Sequence, residues 1–264
     1  RGVRLPREGR DVSALFALTL RQILGGMRLW LLVAFLSLPA LLLVLILSQG
    51  QKIPDEDREL VFSLLLYVLY PQTLVILATL LYGSGLLSAE IEGRTLVYLL
   101  TRPLPRWCIL AVKYAATVLV LSVLCLASLA VSFAITGFPG GARTGFALGA
   151  SVFLACVAYT AVFGLIGLLW PRRAVPIGLI YAGVLELALS FVPAFVNRLS
   201  VSHYLRSLTY HLADLQQLPR EAMQFLGDTG PWTSAVTLLV FPLVALGVSA
   251  VLLELREWPL TDDL

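Results

Sequence analysis

The sequence predicts an all-α polytopic membrane protein. It has six transmembrane helices, an amphipathic N-terminal interfacial helix, a short cytoplasmic helix between spans 2 and 3, and short external helices before span 6. Three observations carry this. Of 264 residues, 59% are hydrophobic and only 13% charged, against roughly 25% charge in a soluble domain, and the mean hydropathy is +0.89. Six stretches reach the length of about 20 apolar residues that crosses a ~30 Å hydrocarbon core. The 19 basic residues are also spread unevenly over the segments between those stretches. Such a composition excludes a soluble enzyme, a disordered chain and a nucleic-acid binder. Cys108, Cys125 and Cys156 lie in apolar runs without metal-ligand spacing, so neither a disulfide nor a zinc framework is expected.

The chain reads as a single transmembrane domain over 1–264. Span 1, Leu29 to Ser48, carries no charge, and Pro39 is expected to kink it. Span 2, Leu60 to Leu87, is long and contains Pro71, so it must tilt, kink or project from the bilayer. Span 3 runs from Trp107 to Thr136; its one charge, Lys113, lies near an end where its stem can snorkel to the headgroups. Span 4, Gly145 to Trp170, is followed by Pro171, span 5 is Ala174 to Val196, and span 6 is Thr233 to Leu253. An even number of spans puts both termini on one side. The numbering starts at Arg1 rather than Met, so upstream residues are expected. The Arg-rich start leads into a full-length span and reads as retained rather than cleaved.

Basic residues orient the bundle. One side collects Arg1, Arg4, Arg7, Arg10, Arg21, Arg28, Arg94, Arg102, Arg106, Lys113, Arg172, Arg173 and Arg256; the other holds only Lys52, Arg58, Arg143, Arg198, Arg206 and Arg220. Lys and Arg accumulate on cytoplasmic loops. Both termini and the connection between spans 2 and 3 are therefore expected in the cytoplasm, with the chain in the cell's inner (plasma) membrane.

Four segments do not span. Asp11 to Met27, within the cytoplasmic segment 1–28, has Val12, Leu15, Phe16, Leu20, Ile23, Leu24 and Met27 at helical spacing. It reads as an interfacial helix with Arg21 and Arg28 near anionic lipid, set off from span 1 by a bend at Gly25-Gly26; a straight continuation of span 1 is the alternative. Gln49 to Glu59 reads as a solvated linker. The external segment 197–232 could hold a helix with Tyr204, Leu205, Leu208 and Leu212 on one face, and a second from Pro219 to Leu226. His203 and His211 stand eight apart with Asp214 nearby. Metal sites need tighter spacing or more ligands, so these are expected to be surface histidines and no metal is expected.

The fourth segment, Ser88 to Arg106, reads SAEIEGRTLVYLLTRPLPR. Ser88 is a candidate N-cap, Glu90 and Glu92 suit the first turn, and Ile91, Leu96, Leu99 and Leu100 supply apolar anchors. Pro103 and Pro105 end the helix. Spacing alone leaves two readings open, an ordinary charged loop or a helix that passes motion between a cytoplasmic partner and the membrane.

The run EIEGRTLVYLLTRPLPRWCILAVKY resembles the signature region of ABC-2-type permeases, the membrane subunits of ATP-binding-cassette exporters. Glu90, Glu92, Gly93, Thr95, Leu99, Leu100, Pro103 and Arg106 occupy the family's positions; Arg94 intervenes where a Gly-Thr pair is commoner. The layout of the whole chain is similar too. The resemblance implies that 88–106 is a coupling helix docking on a separate cytoplasmic ATPase subunit, with Arg94 and Arg102 among its charges. It implies a second permease subunit, identical or similar, and membrane lipid as further partners. It also implies that short helices before span 6 dip into the outer leaflet and help close the exit. ATP and Mg would sit on the partner ATPase and no cofactor on this chain. The sequence has only two lysines, Lys52 after Gln51 and Lys113 after Val112, so it holds no Gly-Lys-Ser/Thr phosphate loop. The chain is thus expected to be a non-catalytic subunit, with no catalytic residues of its own.

Glu186 falls mid-span, where a carboxylate costs roughly 3 kcal/mol or more. It either lines a cavity that contacts substrate or makes an interhelix contact. Gly145, Gly149, Gly164 and Gly167 read as packing positions of span 4. Two other functions fit less of this pattern: a membrane scaffold or assembly factor recruiting cytoplasmic proteins, and a secondary carrier using Glu186.

Overall fold

The structure, a computed structural model, describes residues 8–49, 55–93, 105–188, 200–213 and 229–255. Among these no residue is in a strand. The elements are α1 (Glu8–Leu24), α2 (Met27–Ser48), α3 (Asp55–Tyr67), a π-helix (Val68–Leu74), α4 (Val75–Gly83) and α5 (Gly85–Glu92). They continue with α6 (Arg106–Ile135), α7 (Gly141–Leu169), a 3₁₀ turn (Pro171–Arg173), α8 (Ala174–Ile180), a second π-helix (Tyr181–Ala188), α9 (Val201–Ala213) and α10 (Pro231–Leu255).

Five helices are long and apolar enough to cross a membrane: Met27–Ser48, Leu60–Glu92, Arg106–Ile135, Gly141–Leu169 and Pro231–Leu255. The expected fifth span, Ala174 to Val196, is described only as far as Ala188, so five rather than six spans stand on the described residues. The chain is a multi-pass membrane protein. Its large apolar side chains are exposed along α2 and α10, as on Leu41 and Leu243, which is what lipid or a neighbouring subunit would cover.

α1 is separate from α2. The chain breaks at Gly25-Gly26, and Gly26 adopts an extended conformation at the N-cap of α2. Leu15 on α1 buries against Ile109 and Val112 of α6, with Val12 and Phe16 beside them. The second span bends differently from a simple proline kink. Pro71 has no N–H to give and its ring crowds the carbonyl four residues back, so the helix widens into a π segment around it. Tyr70, fully buried there, donates from its Oη to the Ser128 carbonyl (2.8 Å) and lies 2.7 Å from the Ser132 hydroxyl. Ser128 in turn donates to the Leu36 carbonyl at 2.7 Å, joining α2 to α6.

α7 is the central helix, packed by α4, α6, α9 and α10. Glycine permits its closest approach. A Cβ on Gly167 would strike the Ser84 carbonyl, with Ser84 C at 3.0 Å, and a Cβ on Gly83 would meet Thr160 Cα at 3.3 Å. Gly145 lies against the Phe133 ring, while Gly149 has more room. Gly167→Ala is therefore expected to push α7 off α5 and cost about 1–3 kcal/mol, read as a lower Tm in detergent, whereas Gly149→Ala should leave Tm unchanged. Equal Tm values for the two variants would contradict this packing.

Three local expectations are corrected. Helix α5 continues the second span to Glu92, so Ser88 is no N-cap: it sits mid-helix and donates to the Ser84 carbonyl at 2.7 Å. The acidic part of the 49–59 segment, from Asp55 onward, is already helical. Lys113 does not snorkel to the headgroups; it is 4% exposed, because Glu90 on α5 lies at the same depth and pairs with it.

Candidate functional site

Glu186 is the most heavily hydrogen-bonded acid in the described structure, and it is 2% exposed. It lies in the second π-helix. In that wider coil residues five apart stand about one turn apart, which brings Tyr181 Oη to 2.9 Å from Glu186 Oε1. From α7, Tyr159 donates to Oε2 at 2.9 Å. The remaining donors belong to the start of α9: the Ser200 hydroxyl (2.8 Å) and the backbone N–H groups of Val201 (3.2 Å) and Ser202 (3.0 Å). A helix leaves its first amides unsatisfied and carries a partial positive charge at that end. The carboxylate fills both needs, and the tyrosine and serine hydroxyls complete its shell. Arg206, one turn into α9 and also buried, lies with Glu186 within electrostatic reach of Tyr67.

α9 runs antiparallel to α7. Its start meets Tyr159 through Glu186, Thr209 Oγ1 lies 2.5 Å from Ser151 Oγ, and the Leu212 carbonyl accepts from Arg143 Nε at 3.0 Å. So α9 begins beside the second half of α7 and ends beside its first turns. Ser207 Oγ and His211 Nε2 hold the Thr229 carbonyl at 2.5 and 3.2 Å, fixing the entry to α10. Leu205 and Leu208 are buried, with Tyr204 and Leu212 packed against the same cluster. His203 is buried too, against the expectation of a surface residue, because the helix carrying it is packed into the bundle rather than laid on it. His211 is exposed. No group of three or more potential metal ligands occurs among the described residues. The expected helix 219–226 lies outside them.

The connection between the second and third spans is described at its two ends. Glu90 faces inward to Lys113, which also lies 3.4 Å from the Leu86 carbonyl. Glu92 is exposed at the end of α5, and Gly93 caps that helix through its N–H to the Ala89 carbonyl at 2.9 Å. Arg106 opens α6 and donates from Nη1 to the Leu253 (3.1 Å) and Glu254 (3.4 Å) carbonyls at the end of α10. Arg94, Thr95, Leu99, Leu100, Arg102 and Pro103 lie outside the described residues.

Near these ends, Arg28, Tyr82, Ser88, Glu92 and Arg172 line a cavity of about 390 Å³. A second of about 330 Å³ shares Arg28 and Tyr82 with it and is bounded by Gln22, Glu90, Lys113 and Thr117. Sequence reasoning missed both, and it missed the Glu90–Lys113 pair. The one available signal was an acid and a base, each near the same end of consecutive spans.

Five long apolar helices among the described residues define a multi-pass membrane protein. The family of ABC-2 family transporter proteins matches residues 26–197, well over half of the chain, and the chain belongs to that family. The match begins at the N-cap of α2 and includes the whole connection between spans 2 and 3. No curated protein and no solved structure matches the chain.

Proposed function

We propose that the chain is the permease subunit of an ABC exporter. It forms the translocation path and couples ATP hydrolysis by a separate cytoplasmic ATPase subunit to movement of substrate across the membrane. Family membership over residues 26–197 carries this reading; ABC-2 permeases are membrane subunits that work with an ABC ATPase. The sequence holds no phosphate-binding loop, so ATP and Mg belong to the partner. A second permease subunit completes the path, with six spans in each and both termini cytoplasmic. The basic residues at the Arg28, Arg106 and Arg172 end support that orientation.

In this reading residues 88–106 are the coupling segment. Glu92, Arg94, Thr95, Leu99, Leu100, Arg102 and Pro103 meet the ATPase, while Glu90, Gly93 and Arg106 hold the segment to the bundle. Glu186 is an interhelix anchor: five donors on its two oxygens support a fixed carboxylate rather than one exchanging with substrate. Affinity purification of the tagged chain should bring down a nucleotide-binding subunit. Glu92→Arg and Arg94→Glu should each lower substrate transport at least about tenfold while ATPase activity of the complex persists, the loss of roughly 1.4 kcal/mol of coupling. Normal transport in both variants would refute the docking assignment, and no ATPase in the pull-down would refute the exporter.

A further inference from the structure

We propose that Pro39 and Pro71 form one composite hinge, latched by Tyr70, about which α3 and the part of α2 after Pro39 move together during the transport cycle. Each proline removes a rung from its helix. Pro39, buried in α2, has no N–H for the Phe35 carbonyl, and the next carbonyl along, that of Leu36, accepts the Ser128 hydroxyl at 2.7 Å. Pro71 does the same to the Tyr67 carbonyl in the second span, and there the Thr73 hydroxyl donates to the Val68 carbonyl at 3.0 Å. Hydrocarbon offers no water to a released carbonyl, so hydroxyls stand in for lost rungs. Both breaks converge on two serines of α6. Tyr70 Oη lies 2.8 Å from the Ser128 carbonyl and from Ser128 Oγ, and 2.7 Å from Ser132 Oγ. One phenol proton thus has three acceptors, and it can pass between them without stranding a polar atom. A helical amide has no such choice.

The two sides of the hinge are held differently. After Pro71 the second span is fixed through its backbone: the Ser84 carbonyl seats on Gly167, Thr160 on Gly83 and the Leu80 side chain on Gly178, with Glu90 paired to Lys113. Before Pro71, α3 contains no glycine and is held by the side chains of Phe62, Ser63, Leu66 and Tyr67. Beyond Pro39, α2 buries Leu43 and exposes Leu41, Val44 and Leu45. Packed side chains can slide past one another, whereas a backbone seated on glycine has no room to. The drive is α6. It starts at Arg106, just after the connection between spans 2 and 3, and Ser128 stands 22 residues on, roughly 33 Å along the helix. A shift of α6 therefore reaches both prolines through one pair of serines.

The inference rests on the permease reading, and its test keeps the two apart. The chain, purified with its ATPase and diluted with unlabelled copies, carries nitroxide pairs in a Cys108→Ser background; Cys125 and Cys156 are fully buried. One pair is Leu45→Cys with Val61→Cys, the other Val61→Cys with Phe146→Cys, all at exposed positions. Between the nucleotide-free and vanadate-trapped complexes, pulsed electron resonance should find the first distance constant. The second should change by more than about 2 Å, beyond simple helix sliding. Pro71→Ala restores a rung, so the second distance should stop changing while ATPase activity persists and Tm equals or exceeds the parent's. Tyr70→Phe keeps the ring and removes the latch. It should lower Tm by only about 2–4 °C, one hydrogen bond's worth, and let the first distance change by more than about 2 Å as the two helices part. A parental first distance that changes, a parental second distance that does not, or a Pro71→Ala complex that moves like the parent or melts below it would overturn the hinge. Parental distances in Tyr70→Phe would overturn the latch. A parent without vanadate-sensitive ATPase activity would overturn the permease reading, and the hinge's place in a transport cycle with it.

Discussion

Glu186→Ala should lower the stability of the purified protein by about 3–5 kcal/mol, the usual cost of removing one partner from a buried charged network. At roughly 2–4 °C per kcal/mol for a chain of this size, the drop in Tm is on the order of 10 °C, measured by thermal unfolding in detergent. The reason is the number of groups stranded at once: the Val201 and Ser202 amides and the Tyr159, Tyr181 and Ser200 hydroxyls all point at this carboxylate. Glu186→Gln keeps the volume but turns one acceptor into a donor facing other donors, so it should cost about half as much. Tyr159→Phe loses a single bond and should cost about 1 kcal/mol. That ordering, Ala below Gln below Phe in stability, separates an anchor from a proton carrier. A carrier site would tolerate Gln with normal folding and lose only gradient-driven uptake. An unchanged Tm in Glu186→Ala would end the anchor reading.

The second large effect is expected at the Glu90–Lys113 pair. Glu90→Ala leaves an ammonium buried beside α5 with little besides the Leu86 carbonyl to receive it. Removing one member of a buried pair costs about 3–5 kcal/mol, and expression of folded protein should fall accordingly. Replacing both at once, with Glu90→Leu and Lys113→Met, should recover most of the loss, since a buried pair is often replaceable by apolar groups of similar volume. Size-exclusion profiles and Tm values of the two singles and the double form the cycle. If the double variant is as unstable as the sum of the singles, the two residues are not coupled.

Five of the six expected spans are legible because crossing hydrocarbon demands length and apolar composition, and both are local properties. Leu29 to Ser48 and Trp107 to Thr136 lie within about two residues of helices Met27–Ser48 and Arg106–Ile135. Glu186 was readable as an expensive residue for the same reason. What satisfies it was not, because its partners come from 27 residues before it and up to 16 after it, and no spacing rule connects a π-helix to the head of a later helix. Lys113 illustrates the same limit. Its position near a span end fits a snorkelling chain, and only the placement of α5 beside α6 reveals Glu90 as the nearer partner. The surface expectation for His203 fails because segment 197–232 reads as external, where polar residues face water, whereas the helix that carries it is buried in the bundle. The buried Ser202, Arg206, Ser207 and Thr209 make α9 a polar helix set inside protein, a pattern that hydropathy treats as loop.

The clasp between Arg106 and the carbonyls of Leu253 and Glu254 bears on how force would travel. Residue 106 is the first of α6, immediately after the connection, while 253 and 254 are near the far end of the chain. Load applied to 94–104 therefore divides at once between the third span and the last, without first crossing the central helix. The middle and last thirds of the sequence are geared together at one end, and the half-length helix α9 is bolted to the start of α10 at the other through Thr229. A displacement entering at one face would reach the opposite face along two parallel shafts.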